Sequence, residues 1–271
     1  MKNLAKFMFV GSCSLLLFAC QEDVESTQTD TDDSYASETA ESEAILEGEM
    51  DELMQFSEEA AVSPENGRVQ ASFCATRTVD DATNTVTLDF GDGCTGPVYG
   101  RLRTGKVIIQ YQGERSSIDV SRVVTFDDYS VNGRGISGKI EMERSAEGTA
   151  SVAVRELTDL TVTYKDGKTT VLNGTEQRRW IEGRGDGDPK NDVFEITGTI
   201  EGINRRGQAF TSVIVEPIVV NTACDKFVRV SGVKEVTTAR GKKYTTDFGD
   251  GECDDIITLT TPRRTFDITA R

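Results

Sequence analysis

Three aspartates within one short segment offer oxygen ligands for a hard cation. The sequence Gly-Asp-Gly-Asp-Pro-Lys-Asn-Asp covers residues 185–192 and contains Asp186, Asp188 and Asp192. Carboxylate oxygens are the ligands that Ca²⁺ prefers, so these side chains are the calcium candidates of the chain. The alternative is a polar hairpin loop without metal, because Gly, Asp, Asn and Pro are also the common residues of turns.

Trp180 precedes this segment and is the only tryptophan. Sugar-binding sites stack their ligands on exposed aromatic rings, which makes Trp180 the ligand-binding candidate of the chain. The alternative is a packing role, because aromatic side chains more often lie in the core or on a sheet face.

The sequence Asp-Phe-Gly-Asp-Gly occurs twice, at residues 89–93 and 247–251. Asp-Gly pairs favour turns because Gly adopts positive φ and Asp caps its own turn. Calcium is the alternative, but neither copy has the six to eight oxygens that Ca²⁺ takes. We therefore interpret both copies as turns.

Each copy is followed by a cysteine, Cys94 or Cys253, and each has another cysteine upstream, Cys74 or Cys224. An even number of cysteines in an exported protein predicts disulfides, and four cysteines allow three connectivities. The local pairs Cys74–Cys94 and Cys224–Cys253 agree best with the internal repeat. A Cys₄ zinc site is the rival, although the chain lacks the Cys-x₂-Cys spacing of such sites.

Cys20 ends the sequence Leu-Phe-Ala-Cys, after an apolar stretch from residue 7 to residue 19 that follows Lys2 and Lys6. These are signal-peptide features, and the stretch is shorter than the roughly 20 residues of a membrane span. The pattern resembles a bacterial lipobox, in which the cysteine becomes the lipidated N-terminus. A plain secretory signal is the alternative. Residues 21–25, Gln-Glu-Asp-Val-Glu, resemble the acidic export signal of Bacteroidota surface lipoproteins, so we expect an outer-membrane protein that faces the cell exterior and contacts the membrane through lipid on Cys20.

The composition excludes several kinds of chemistry. The chain has no histidine, which removes Ser-His-Asp and Cys-His catalysis and histidine metal sites. Of the 46 acidic residues, 16 lie in residues 21–66, which contain none of the 30 basic ones. The remainder is nearly neutral and has no basic patch, so nucleic acid is not an expected partner.

The first 66 residues divide into three parts. Residues 1–19 are the signal peptide, and residues 20–37 form a lipidated acidic tether that we expect to be disordered. Residues 38–66 contain apolar side chains at near-helical spacing up to about residue 60, which predicts an amphipathic helix followed by a linker. The helix would cover a sheet edge or face, or it would bind a partner.

Residues 67–271 alternate β-branched or aromatic residues with polar ones, as in Val-Ile-Ile-Gln-Tyr at 107–111. Turn sequences such as Asn132-Gly133 separate these runs at short intervals. The pattern predicts an all-β fold with a single antiparallel domain. A sandwich, a meander and a partly open barrel all remain open.

Several motifs of this β domain resemble an uncharacterised family of Bacteroidota surface lipoproteins. They are the segments 89–97, 100–106, 180–183, 194–198 and 247–253. The resemblance covers most of residues 70–271 and implies no activity. Val98 and Tyr99 replace the short Asp-Gly turn that is usual in the family.

Together these observations predict a non-enzymatic surface lipoprotein with a binding or envelope-structural role, whose glycan or protein ligand is unknown. We expect no cofactor, with calcium at the aspartate segment as the alternative. The rival function is a carbohydrate-active enzyme or an accessory glycan-binding lipoprotein that uses carboxylates. A groove lined by two carboxylates and exposed aromatic rings would favour the rival.

Overall fold

Alternating apolar and polar residues fold almost the whole C-terminal part of the chain into β-strands. The computed structural model describes residues 39, 46–53, 67–68, 74–96, 100–115, 117, 120–147, 150–184, 191–224 and 229–269. One helical segment, α1, covers residues 46–53, and Thr39 is also helical. The strands are β1 (Gly67–Arg68), β2 (Thr76–Asp80), β3 (Thr85–Asp89), β4 (Cys94–Thr95), β5 (Leu102–Gln112), β6 (Ser121–Val131), β7 (Arg134–Glu147), β8 (Ala150–Thr163), β9 (Thr169–Glu182), β10 (Val193–Ile203), β11 (Ala209–Asn221), β12 (Arg229–Thr238), β13 (Lys243–Asp250), β14 (Ile256–Thr260) and β15 (Thr265–Thr269).

The strands form one antiparallel sheet in which neighbours along the chain are neighbours in space. The order runs from β1 to β15 without a crossover, and only the short β4 lies off this path, where it pairs with β5. The sheet does not close on itself. The predicted antiparallel all-β domain is therefore confirmed, and its architecture is an open meander.

In both Asp-Phe-Gly-Asp-Gly segments the first aspartate accepts a hydrogen bond from the backbone N–H two residues further on. The N–H of Gly91 donates to Asp89 Oδ1 at 2.8 Å, and the N–H of Gly249 donates to Asp247 Oδ1 at 2.9 Å. Gly91 has a φ of +59°, a conformation that glycine adopts without strain. The first copy is a turn, as predicted, at Gly91 and Asp92. The prediction is wrong for the second copy, because residues 247–250 lie within β13, whose pairing with β12 shifts register there.

The sheet curves around α1. Seven strand-to-strand steps separate β5 from β12, which in a flat sheet would be about 34 Å. Yet Arg103 of β5 lies 3.0 Å from Glu49, and Arg229 of β12 lies 3.1 Å from Asp51, two residues further along the same helix. A helix with its side chains is only about 10–12 Å across, so the strands must wrap it.

Bulges with glycine at close approach help to bend the strands. The β7–β8 register shifts at Gly138, which has a φ of +108°, and a Cβ there would lie 2.4 Å from the carbonyl oxygen of Asp159. Gly105 occupies the equivalent place opposite Asp128 in the β5–β6 pair. Bulges increase local twist and bend a strand, and only a residue without a side chain fits against the opposite backbone here.

The helix α1 belongs to the same hydrophobic core as the sheet. Its apolar residues Leu46, Met50 and Leu53 recur at helical spacing and are buried within one cluster with side chains from β3 to β14. The polar side of α1 is buried as well, since Glu49 is 1% and Glu52 is 5% exposed. The amphipathic pattern predicts a helix with one solvated face. The structure instead buries most of the described segment, with only Gly48 and Asp51 half-buried.

Each of the two disulfides links cysteines that are close to each other in the sequence. Cys74 is bonded to Cys94, with Cα atoms 5.8 Å apart, and Cys224 is bonded to Cys253, with Cα atoms 5.3 Å apart. These are the pairs that the internal repeat favours.

In the part of the chain that is described, no helix is long and apolar enough to cross a membrane.

Candidate functional site

The centre of the protein holds four acidic side chains from two turns of helix. Glu47, Glu49, Asp51 and Glu52 all lie on α1, and their side chains are no more than 10% exposed. Burying an ionised carboxylate is costly unless cations and hydrogen bonds replace the water that it loses. The sheet supplies those groups.

The cations come from the inner face of the curved sheet. We call this set the cationic trough: Arg103 on β5, Arg155 on β8, Arg178 on β9, and Arg229 and Lys234 on β12. Each is less than 9% exposed. Alternation along a strand sends every second side chain to the same face, and Arg155, for example, shares its inward face with Ala153 and Leu157, which are also buried.

One end of the trough binds Glu49 and Glu52. Arg103 donates to Glu49 through Nε at 3.2 Å and through Nη2 at 3.0 Å, a two-point contact that also reaches Glu52. Arg101 lies 3.3 Å from Glu49 and 3.1 Å from Glu52. The hydroxyl of Tyr129 on β6 donates to Glu49. The planar guanidinium fits this arrangement because it donates several hydrogen bonds at fixed angles.

The other end of the trough binds Glu47 and Asp51. Arg229 spans both acids, at 3.2 Å from Glu47 and 3.1 Å from Asp51. Lys234 Nζ donates to Glu47 at 2.9 Å. Arg178 also binds Asp51, and Arg155 lies 3.5 Å from it. Asp51 therefore meets guanidinium groups from three strands.

These surroundings separate the acids by pKa. Burial opposes ionisation of Asp51, but Arg229, Arg178 and Arg155 outweigh it and hold the pKa of that carboxyl below its usual range. The pKa of Glu47 is lowered in the same way, because Arg229 and Lys234 outweigh its burial. The pKa of Glu52 is raised instead. Burial and the neighbouring Glu49 charge bring it to about 7, against the attraction of Arg101 and Arg103.

Trp180 on β9 and Asp192, which immediately precedes β10, lie together at one end of the trough. The indole Nε1 donates to Asp192 Oδ2 at 3.0 Å, and both side chains are buried. The ring is 6% exposed and packs beside Phe194 on β10, which leaves little of its face open to a sugar. As a calcium candidate, Asp192 already has one oxygen engaged.

The other predicted site residues fall outside the described residues. These are Asp186 and Asp188 of the calcium candidate and the lipidation candidate Cys20. Among the residues that are described, no three Cys, Asp or Glu side chains come together so as to hold a metal ion. Calcium at residues 185–192 stays a prediction.

Sequence reasoning missed the cationic trough. The signal was nevertheless there: Glu176, Arg178 and Trp180 follow one another at alternate positions of β9, so the inward-facing side that carries the tryptophan also carries the charges. Charged residues in a strand are ordinarily assigned to the solvent side, and Arg103 is 54 residues away from its partner Glu49 in the sequence.

Comparisons with protein-family models, with curated proteins and with solved structures found no match to this chain.

Proposed function

We propose that this protein is a lipid-anchored lipoprotein of the outer membrane, facing the cell exterior, whose β domain has a non-enzymatic binding or envelope-structural role. The observation that carries the proposal is that the curved sheet encloses its own helix. The concave face, where a ligand groove would form, is filled by α1.

The contacts of the central carboxylates favour a structural role for these side chains. Glu47, Glu49, Asp51 and Glu52 each contact an arginine or a lysine, and Glu176 contacts Arg155. Such contacts hold a carboxylate in one position, which favours a rigid scaffold. A rigid scaffold that presents loops is a usual basis for binding.

The sequence before α1 supports the anchored location. The tether predicted at residues 20–37 contains Asp and Glu and no Lys or Arg. The acidic character of this stretch favours extension and disfavours contact with an anionic surface. We infer that lipid on Cys20 holds the domain at the membrane while the acidic stretch keeps it at a distance.

Replacement of the lipidated cysteine tests the anchor. In Cys20→Ser the protein should leave the membrane fraction, and mass spectrometry of the wild type should find a lipidated peptide that begins at Cys20. Protease added to intact cells should cleave the wild-type domain if it faces outward. A Cys20→Ser protein that stays fully membrane-bound would refute the anchor.

A carbohydrate-active enzyme is the second candidate, and one observation favours it. Glu49 and Glu52 form a carboxylate pair, and Glu52, with a pKa raised to about 7, has the character of a general acid. Their burial and their shared Arg103 favour the structural role. Release of reducing sugar from a polysaccharide panel by the wild type, and its loss in Glu52→Gln, would replace the binding proposal with this one.

A further inference from the structure

Four arginines converge at the end of the sheet where β6 and β10 begin and β7 and β9 end. We call them the arginine mouth: Arg122, Arg144, Arg178 and Arg184. Three of them share one aromatic ring, with guanidinium carbons 4.7 Å (Arg184), 5.2 Å (Arg144) and 5.7 Å (Arg178) from the centroid of Trp180.

The strand register produces this convergence. Arg144 on β7 and Arg178 on β9 are both register partners of Ala153 on β8, one from each side. Their Cα atoms are therefore about 10 Å apart, two strand spacings. The small side chain of Ala153 leaves room above it, so the two long side chains lean toward the ring of Trp180. Arg184 follows β9 directly and reaches the same ring from the end of the strand.

The four guanidinium groups of the arginine mouth influence one another's charge. Burial and then the charges of Arg184 and Arg178 lower the pKa of Arg144 to about 9, against the attraction of Asp192. Burial also lowers the pKa of Arg122 to about 10, with Arg184 adding to the effect and Tyr111 opposing it. Like charges held close together repel one another, and a bound anion relieves that repulsion.

Trp180 positions the arginines. Its N–H is directed to Asp192, which fixes the plane of the ring, and the ring holds guanidinium groups by cation–π attraction. Arg144 and Arg184 are half-buried, so part of each side chain is accessible to solvent.

We propose that the arginine mouth binds a tetrahedral oxyanion, a sulfate or phosphate group, through Arg144 and Arg184, with Arg122 and Arg178 behind them. Guanidinium groups donate paired hydrogen bonds that match the oxygen spacing of such anions. The inference deepens the proposed binding role and rests on it. The anion is either a free ion or the substituent of an acidic polysaccharide, and the two sources share the same contacts.

The test measures anion binding by the complete mature protein. Inorganic phosphate and sulfate are titrated calorimetrically at constant ionic strength against chloride, and a sulfated polysaccharide is compared with its desulfated form. We expect saturable binding of the inorganic oxyanions or of the sulfated polymer. Either Arg144→Gln or Arg184→Gln should weaken it about tenfold or more, since each removes charge-assisted hydrogen bonds.

The matched control is Arg240→Gln, which removes an exposed arginine at a turn at the opposite end of the sheet and should leave affinity unchanged. Circular dichroism and melting without ligand verify that each variant is folded. Tighter binding of the sulfated polymer identifies the polysaccharide as the source, whereas binding of inorganic ions alone identifies a free anion.

Three outcomes would overturn the proposal: no saturable oxyanion binding by the wild type, equal affinity in Arg144→Gln, Arg184→Gln and Arg240→Gln, or equal binding of the desulfated polymer. A protein that is released by Cys20→Ser but binds no oxyanion loses this inference and keeps its anchored location.

Discussion

Asp51 shows what a single side chain does in this core. It is one carboxylate facing guanidinium groups from β8, β9 and β12. Its charge offsets the desolvation of three cations at once. Its removal takes an anion from all three, although Arg155 keeps Glu176 and Arg229 keeps Glu47. The reverse change, loss of one arginine, leaves Asp51 with two partners.

We therefore expect Asp51→Asn to lower the free energy of unfolding by about 3–5 kcal/mol, the usual effect of breaking a buried ion pair. Urea denaturation measures it. Asp81→Asn is the control, because Asp81 pairs with Arg115 at 2.6 Å but its side chain is 83% exposed; that change should cost about 1 kcal/mol or less. Equal effects of the two substitutions would contradict the buried network.

Glu52 gives the protein an unusual pH dependence. Its pKa rises from 4.5 to about 7 on folding, so the folded state binds an extra proton between those values, and stability falls as the pH rises through that window. The lowered pKa values of Glu47 and Asp51 act in the opposite direction and in a different range, where stability is lost as the pH falls below their unfolded values.

Glu52→Gln should remove the loss of stability that accompanies ionisation of Glu52, between its ordinary pKa of 4.5 and its raised pKa of about 7. The difference in unfolding free energy between the variant and the wild type should grow in favour of the variant by on the order of 2–3 kcal/mol across that range. Denaturation curves at several pH values measure it. A difference that does not change with pH would show that Glu52 ionises at its ordinary pKa.

At the scale of elements, α1 depends on the sheet. Most helical stability in proteins comes from tertiary packing, because short isolated helices are marginal in water. The packing and ion pairs of α1 must supply the stability, and the curved strands must be shaped to provide them. The bulge at Gly138 is one of the places where that shape is set.

Gly138→Ala should therefore destabilise the protein more than an alanine that meets open space. The comparison is Gly113→Ala, because Gly113 has a similar φ of +122° and a Cβ added there would have nothing within 4 Å, whereas at Gly138 the backbone oxygen of Asp159 would be 2.4 Å away. Both changes share the φ strain, so we expect the difference to reach about 2 kcal/mol from overpacking. Thermal unfolding measures it, and equal melting temperatures would refute the close contact.

The strands and disulfides could be predicted from the sequence, whereas the inward direction of the charged side chains could not. Alternation in segments such as Val107 to Tyr111 reveals strands because the period of two is local, and the repeated cysteine motif reveals the disulfides because each pair is close in sequence. The inward direction of Arg103 and Arg229 could not be read in this way. A charge is stable inside only with a partner, and their partners on α1 become visible only when the sheet has curved.

At the scale of the whole molecule, helix and sheet form a single core. Leu46, Met50 and Leu53 contribute to the same cluster as the strands, and the cationic trough would be left with apolar walls and buried cations if α1 were removed. A boundary placed at residue 67 from the sequence therefore divides the helix from the sheet, although the two share one hydrophobic core.

A chain that begins at Gly67 should fail to fold, whereas a chain that begins at Glu38 should fold like the full mature protein. The reason is that the shorter chain lacks the four carboxylates that neutralise the trough. Near-ultraviolet circular dichroism and cooperative melting distinguish the two, and a synthetic peptide of residues 38–66 should restore the signal of the shorter chain. Cooperative unfolding of the shorter chain by itself would show that α1 is only an attachment.

The meander and the helix together set the order in which the core can be completed. Each strand on the main path of the sheet pairs with its neighbour along the chain, so the sheet can grow from one hairpin to the next. Glu47, by contrast, meets Lys234, which is 187 residues further along. Synthesis proceeds from the N-terminus, so the residues of α1 emerge before those of β1 to β15, and Glu47 can meet Lys234 only after β12 has been made. The segment at the centre of the finished protein is thus made early and receives its last partners late.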